Sequence, residues 1–306
     1  MLISDVVKQL AAIAEKGVEL VLVSSGAVAQ GMTDLGWKQR PDSLPELQAA
    51  AAVGQVSLLQ YYQQQFSQNH YKCAQVLLVH DDLSHRRRYL NARNTLTTLL
   101  SLNVIPIVNE NDTVATAEIR YGDNDRLAAR TAQMMGADTL ILLSDIDGLY
   151  TADPRNSKAA VHIPIVEKLT PEIIAMGGEP NAAASVGTGG MVTKLAAARI
   201  AVQAGCYMCI LDGTAPGPLT RLQAGETCTW FKAATKPKDA RRQWIMGSLN
   251  RKGTLEIDAG AARALTQGKS LLAAGVINVN CQFSKGDAVT INAQNGHSIA
   301  CGLAAY

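Results

Sequence analysis

The sequence predicts a doubly wound α/β domain on a mainly parallel sheet, followed by a second, smaller β-rich domain. Three observations carry this expectation. Over the first three quarters of the 306 residues, apolar runs alternate with segments whose apolar residues recur at helical spacing. Several runs are apolar throughout, as strands are when a parallel sheet is covered on both faces. From about Ala224 the texture changes to short runs broken by glycine, the pattern of a compact β module.

The elements follow in order. Residues 2–16 place Val6, Leu10 and Ile13 on one helical face, and Gly17 ends the run. Residues 19–23 then read as a buried strand, and 74–79, 104–108, 139–143 and 208–211 read as further strands, each after a helical segment. Residues 1–230 thus form the larger domain. Residues 231–242 are polar and basic with one proline, a linker composition. The remainder, 243–306, carries strand-like runs at 244–247, 253–258, 278–283, 288–291 and 298–300.

Composition narrows the class. With 47% apolar and 18% charged residues the chain buries ample core, which excludes a disordered or fibrous protein. Twenty-eight Lys and Arg against 26 Asp and Glu say nothing for or against a nucleic-acid partner. No stretch reaches the roughly 18 to 20 apolar residues of a membrane span, and the amino terminus has no signal-peptide core. A soluble, cytoplasmic protein without membrane contact is expected. Six cysteines in a chain of this length make no disulfide scaffold. The close pair Cys206 and Cys209 reads as two buried small hydrophobes, because zinc requires two more ligands and no second such pair exists.

In open α/β sheets the ligand sits beyond the carboxyl ends of the strands, and the informative loops lie there. Ser24-Ser25-Gly26-Ala27 follows the 19–23 strand and precedes a helix, so it can present backbone N–H groups to an anion at a helix start. Gly187-Thr188-Gly189-Gly190-Met191-Val192-Thr193-Lys194 opens another helix. Its glycines allow phosphates a close approach and its lysine offsets their charge, although the spacing is not that of a Walker A loop. Asn109-Glu110-Asn111-Asp112 and Gly122-Asp123-Asn124-Asp125 gather more carboxylates and amides than capping requires. Such a cluster suits an ammonium group, the orientation of lysines, or a hydrated Mg²⁺. Ser144 and Asp145 follow the 139–143 run, where a nucleotide would rest; the turn signals Asp147-Gly148 and Asp153-Pro154 shape the chain beyond.

Together and in this order, these loops resemble the amino-acid kinase family over essentially all of residues 1–230, and within it the branch that phosphorylates the side-chain carboxylate of glutamate. The tail, with Gly253-Thr254-Leu255-Glu256-Ile257-Asp258 and Phe283-Ser284-Lys285-Gly286-Asp287, resembles a PUA domain, a module best known for binding RNA. The resemblance implies the family's αβα sandwich, ATP with Mg²⁺ as cofactors, L-glutamate as second substrate and glutamyl 5-phosphate, on the way to proline, as product. It further implies a dimer or tetramer and feedback inhibition by proline. By the same resemblance Ser25, Asp112 and Asn124 bind glutamate; Ser144, Asp145 and the run Thr188, Gly189, Gly190, Met191, Val192, Thr193 and Lys194 bind ATP. Lys194 and Asp125 are the implied catalytic pair, the acid orienting the lysine, and no residue is implied as a metal ligand. The substrate carboxylate is ionised at neutral pH and attacks phosphorus without a general base, so none of the five histidines is required.

One departure stands out. Family members begin with a strand carrying Lys-x-Gly-Ser/Thr, whose lysine contacts the transferring phosphoryl group; here Met1 falls inside the helix expected next, and the tail stops within or just after a PUA strand. Either the sequence is a fragment or a start-site choice, or a catalytic cation is lost. Two other readings therefore stand beside the kinase: an RNA-binding protein acting through the tail, and an inactive regulatory relative.

Overall fold

The computed structural model describes residues 2–114, 124–178, 190–233, 253–283 and 287–304. Helix α1 (Leu2–Ala14) buries Val7 against Leu58, Tyr62 and Phe66, and Gly17, at φ 81°, ends the segment as its sequence suggests. Strand β1 (Leu22–Val23), helices α2 (Ala27–Asp34) and α3 (Leu44–Gln68), strand β2 (Lys72–Leu78), helices α4 (His80–Ser84) and α5 (Arg86–Ser101) and strand β3 (Val104–Glu110) follow. Strands β1 and β2 flank β3, both parallel to it.

The expected strand 19–23 is present only at its last two residues, and these are partly exposed. The cause lies in its partner. Leu22 pairs with Ile107 and Val23 with Val108, and the Val108 carbonyl accepts from Ser24 N–H, so Val108 turns toward β1. The alternate residue facing the same side is Pro106, which has no N–H to donate, and the ladder stops there.

The second half continues with α6 (Asn124–Met135), β4 (Thr139–Ser144), a short antiparallel pair β5 (Leu149–Tyr150) and β6 (His162–Ile163), β7 (Ile165–Val166), α7 (Pro171–Ala175), α8 (Met191–Gln203), β8 (Tyr207–Asp212), α9 (Pro218–Gln223) and β9 (Cys228–Phe231). The sheet order is β4-β8-β9-β7; β4 with β8 and β7 with β9 are parallel, and β8 with β9 antiparallel. Its core is built on small residues: Ala128, Ala129 and Ala132 of α6 and Ala197, Ala198 and Ala201 of α8 meet over Met208, Ile210 and Phe231. Val23 packs against this core and also against the Leu78, Leu96 and Val108 cluster of the first half, so the two halves share apolar contact at the end of β1.

Phe231 is fully buried and pairs with Met208 and Val166, and Lys232 N–H donates to Val166 O. Strand β9 thus ends at Phe231, the first residue of the expected connection, and Lys232 adds one further hydrogen bond; residues 234–242 lie outside the described set. Cys206 and Cys209 are fully buried free thiols, in line with the small-hydrophobe reading. Burial pushes the Cys206 thiol up to about 12 and, with Cys228 beside it, raises Cys209 as well.

The tail forms its own sheet from β10 (Gly253–Ile257), β11 (Val276–Asn280), β12 (Ala288–Ala293) and β13 (Ser298–Leu303), in the order β11-β10-β12-β13. Ile257, Val289 and Ile291 are buried in it. A helix that the sequence reading lacked, α10 (Ala259–Thr266), follows β10 and is capped by Asp258, whose carboxylate accepts from Ala261 N–H at 2.7 Å. The expected run 244–247 lies outside the described residues. Among the described residues no helix is long and apolar enough to cross a membrane.

Candidate functional site

The site begins where β1 runs out. Ser24 N–H is held by the Val108 carbonyl and its hydroxyl lies 3.1 Å from the Tyr62 hydroxyl inside α3. The chain then turns through Gly26, whose φ of 97° suits glycine, into α2. That helix crosses α3 at backbone contact: a Cβ on Gly31 would fall on the Ala50 carbonyl, and one on Gly54 would fall on the Ala27 carbonyl. Two glycines therefore fix the loop 24–26 at the end of the sheet.

Opposite this loop, near the end of β3, lies Asn109, whose buried side-chain oxygen accepts from Glu110 N–H at 2.8 Å. Asn124, the first residue of α6, donates from Nδ2 to Ser24 O at 2.8 Å and lies 3.3 Å from Asn109 Oδ1. Its neighbour Asp125 points elsewhere. The Asp125 Oδ2 atom accepts from Lys194 Nζ at 3.2 Å and from Thr193 Oγ1 at 3.0 Å, both in the first turn of α8. The lysine side chain is 8% exposed and that of Asp125 is 22% exposed, so the ion pair is shielded from water and stronger per contact than a surface pair.

Gly190 caps the start of α8; among the described residues no side chain caps that end and a Cβ on Gly190 would meet nothing within 4 Å. Uncapped N–H groups, open space and Lys194 together suit a phosphate. Ser144 ends β4, its carbonyl accepting from Gly213 N–H at 2.8 Å and its hydroxyl lying 3.1 Å from Asp145 Oδ1. Asp145 is exposed, with Arg155 4.0 Å away. Ser25 is exposed in the loop before α2, its carbonyl 3.3 Å from Ser24 Oγ. Thr188 and Gly189 lie outside the described residues. Among those described, no group of three His, Cys, Asp or Glu could hold a metal ion.

Asp112 lies just past β3. Burial pushes its carboxyl up to about 6, against the opposing pull of the Arg40 charge and of a hydrogen bond from Gln55. Gln55 is the residue that sequence reasoning missed. Its Oε1 lies 3.4 Å from Asn109 Nδ2 and its Nε2 donates to Glu110 O at 3.2 Å, so it borders the end of β3 beside Asn109 and Asn124. A usable signal existed: Gln55 interrupts the buried face of α3 formed by Leu47, Ala51, Leu58 and Tyr62.

The model of the "Amino acid kinase family" matches residues 2–212 and that of the "PUA domain" matches residues 253–306. The chain is 55% identical over 297 residues to a protein named glutamate 5-kinase from Paramagnetospirillum magneticum, covering 97% of this chain and 80% of that relative. It is 56% identical over 290 residues to the glutamate 5-kinase of Caulobacter vibrioides, covering 95% and 77%. For the protein of that name in Gluconobacter oxydans the identity is 52% over 304 residues, covering 99% and 80%. Among solved structures, UMP kinase from Ureaplasma parvum superposes with a TM-score of 0.51 at 12% identity, covering 75% of this chain and 88% of that one, a likeness of fold alone.

Proposed function

Since the chain belongs to the amino acid kinase family, we propose that it transfers the γ-phosphoryl group of ATP to the side-chain carboxylate of L-glutamate, giving glutamyl 5-phosphate for proline biosynthesis. The observation that carries the mechanism is the division of labour at the start of α6. Asn124 turns back to the Ser24 carbonyl and Asn109, and Asp125 turns forward to Lys194.

On this reading the amide and carboxylate groups of Asn124 and Asp112, with the Ser25 loop, hold the amino-acid end of glutamate. Asp112 receives its ammonium group. The α8 start, Gly190 to Lys194, receives the β- and γ-phosphates, and Ser144 with Asp145 borders the nucleotide beyond β4. An anion must approach an anion, so the barrier is largely electrostatic and positional. Lys194 meets the first demand with a cation, and Asp125 meets the second by fixing that cation's direction. Mg²⁺ bound to the nucleotide phosphates supplies further charge compensation. The described donor set fits an ion that arrives with ATP, since it offers carboxylates singly and no all-protein cage.

Identity to proteins named for this reaction extends through the tail as well as the kinase unit, which favours the enzyme over an RNA-binding protein or an inactive relative. A cytoplasmic setting accords with ATP use and with six free cysteines. A homo-oligomer and feedback inhibition by proline rest on the family resemblance; Val53, Val56 and Tyr61, exposed on α3, offer apolar surface for the first.

The test is direct. Purified protein given ATP, Mg²⁺ and glutamate in hydroxylamine should form γ-glutamyl hydroxamate, with aspartate and N-acetylglutamate as poor acceptors. ADP release without hydroxamate, or equal use of the three acceptors, refutes the assignment.

A further inference from the structure

Thr193 stands in the first turn of α8, within the run expected to meet the nucleotide, yet its hydroxyl is committed elsewhere. Oγ1 lies 3.0 Å from Asp125 Oδ2 and 2.8 Å from Gly190 O. A hydroxyl has one proton to give, and both of these neighbours are acceptors. The Gly190 carbonyl already faces two backbone N–H groups, that of Thr193 at 3.1 Å and that of Lys194 at 3.4 Å. The carboxylate is charged and draws the proton more strongly. The carbonyl thus marks where the oxygen sits, a common seat for a helical threonine, and Asp125 receives the hydrogen.

Two donors converge on that one carboxylate oxygen, since Lys194 Nζ reaches the same Asp125 Oδ2 at 3.2 Å. Lysine alone would hold the carboxylate loosely, because an ammonium group on a flexible stem follows its partner as it turns. Threonine is β-branched and stiff, so its hydroxyl stays where the helix backbone puts it. So short a side chain can span the two helices because α6 and α8 meet on alanines, Ala128, Ala129 and Ala132 with Ala197, Ala198 and Ala201.

We propose that Thr193 is a positioning residue for the Lys194–Asp125 pair: its hydroxyl pins Asp125 Oδ2, and through it the direction of the lysine ammonium, rather than serving the nucleotide. This inference rests on the reading of Lys194 as the cation that meets the transferring phosphoryl group.

The test compares Thr193→Val and Thr193→Ser with the wild type in the full-length protein, by steady-state kinetics and urea denaturation. Valine keeps the branched shape and removes the hydroxyl. The expected result for Thr193→Val is a fall in kcat of about tenfold to a hundredfold, the scale on which a slightly misplaced group is felt. The KM values for ATP and glutamate should stay within about twofold, as for an interaction that counts only in the transition state. Thr193→Ser returns the hydroxyl and should restore kcat to within about threefold of wild type. In an Asp125→Ala background Thr193→Val should change kcat by less than about twofold, and the stability losses of the two substitutions should not add. If Thr193→Val does not fold, Thr193→Ala carries the same comparison with a better helix former. An unchanged kcat, a rise confined to the ATP KM, no rescue by serine, or a full loss in the Asp125→Ala background overturns the proposal. Wild-type protein without glutamate-dependent turnover overturns the underlying functional reading instead. The pinning is then read from the urea cycle alone, where strictly additive losses refute it.

Discussion

Replacing Lys194 by methionine removes a buried cation while keeping most of its volume. At 3.2 Å, the Lys194–Asp125 attraction amounts to about 5 kcal/mol with an effective dielectric constant near 20. Desolvation of the two groups cancels much of this, so the net coupling should be about 1 to 3 kcal/mol. Asp125, 22% exposed, would keep the Thr193 hydroxyl and some water. The single variant should therefore lose about 2 to 3 kcal/mol of stability, below the largest losses seen for fully buried pairs. The double variant Lys194→Met with Asp125→Asn should recover most of that loss, as urea denaturation of the four proteins would read. Turnover should not recover. If Lys194 faces the transferring phosphoryl group as proposed, its loss should cost about a hundred- to a thousandfold in kcat in both variants. A folded Lys194→Met protein turning over within about tenfold of wild type would refute the reasoning, as would a coupling below about 0.5 kcal/mol.

Three further outcomes are expected. An acid whose folded-state pKa is raised holds its proton when the unfolded chain has released it, so Asp112 lowers stability as pH rises from about 4 to 6, by up to about 3 kcal/mol. Asp112→Asn should abolish that decline in urea melts and raise the glutamate KM, whereas wild-type glutamate affinity should improve as pH climbs through about 6; a flat profile contradicts this. Gly54→Ala must part α2 from α3 and should cost about 2 kcal/mol or more, with a raised glutamate KM from the displaced Ser24–Gly26 loop. Gln9 Oε1 accepts from the Leu219 and Thr220 N–H groups at 2.9 Å, capping α9 from α1, so Gln9→Leu should lower stability by about 1 kcal/mol and leave kinetics unchanged.

The strands were legible as short apolar runs, nearly continuous where β3 and β8 are buried on both faces, and β2, β3, β4 and β8 lie within two residues of the expected bounds at each end. The candidate loops were legible because glycines, amides and carboxylates follow those runs directly. What stayed hidden depends on partners distant in the chain. The shortening of β1 is decided by Pro106, some 80 residues away, and only the register reveals it. Gln55 escaped notice because the alanines and glutamines of α3 give a weak apolar stripe, and its polar neighbours Gln75, Asn109 and Asp112 come from later segments. In the tail, α10 lies in a short alanine-rich segment that the glycine-broken strand pattern obscured.

Asn124 and Asp125 are consecutive, and consecutive side chains on a helix diverge by about 100°. On the proposed reading a single rigid axle, the first turn of α6, carries both the acceptor's cradle and the donor's anchor. Any tilt of that axle disturbs both hands at once. Evolution toward a different acceptor would then have to reshape the Ser24 and Asp112 side around a stationary α6, because shifting the helix itself would draw Asp125 away from Lys194.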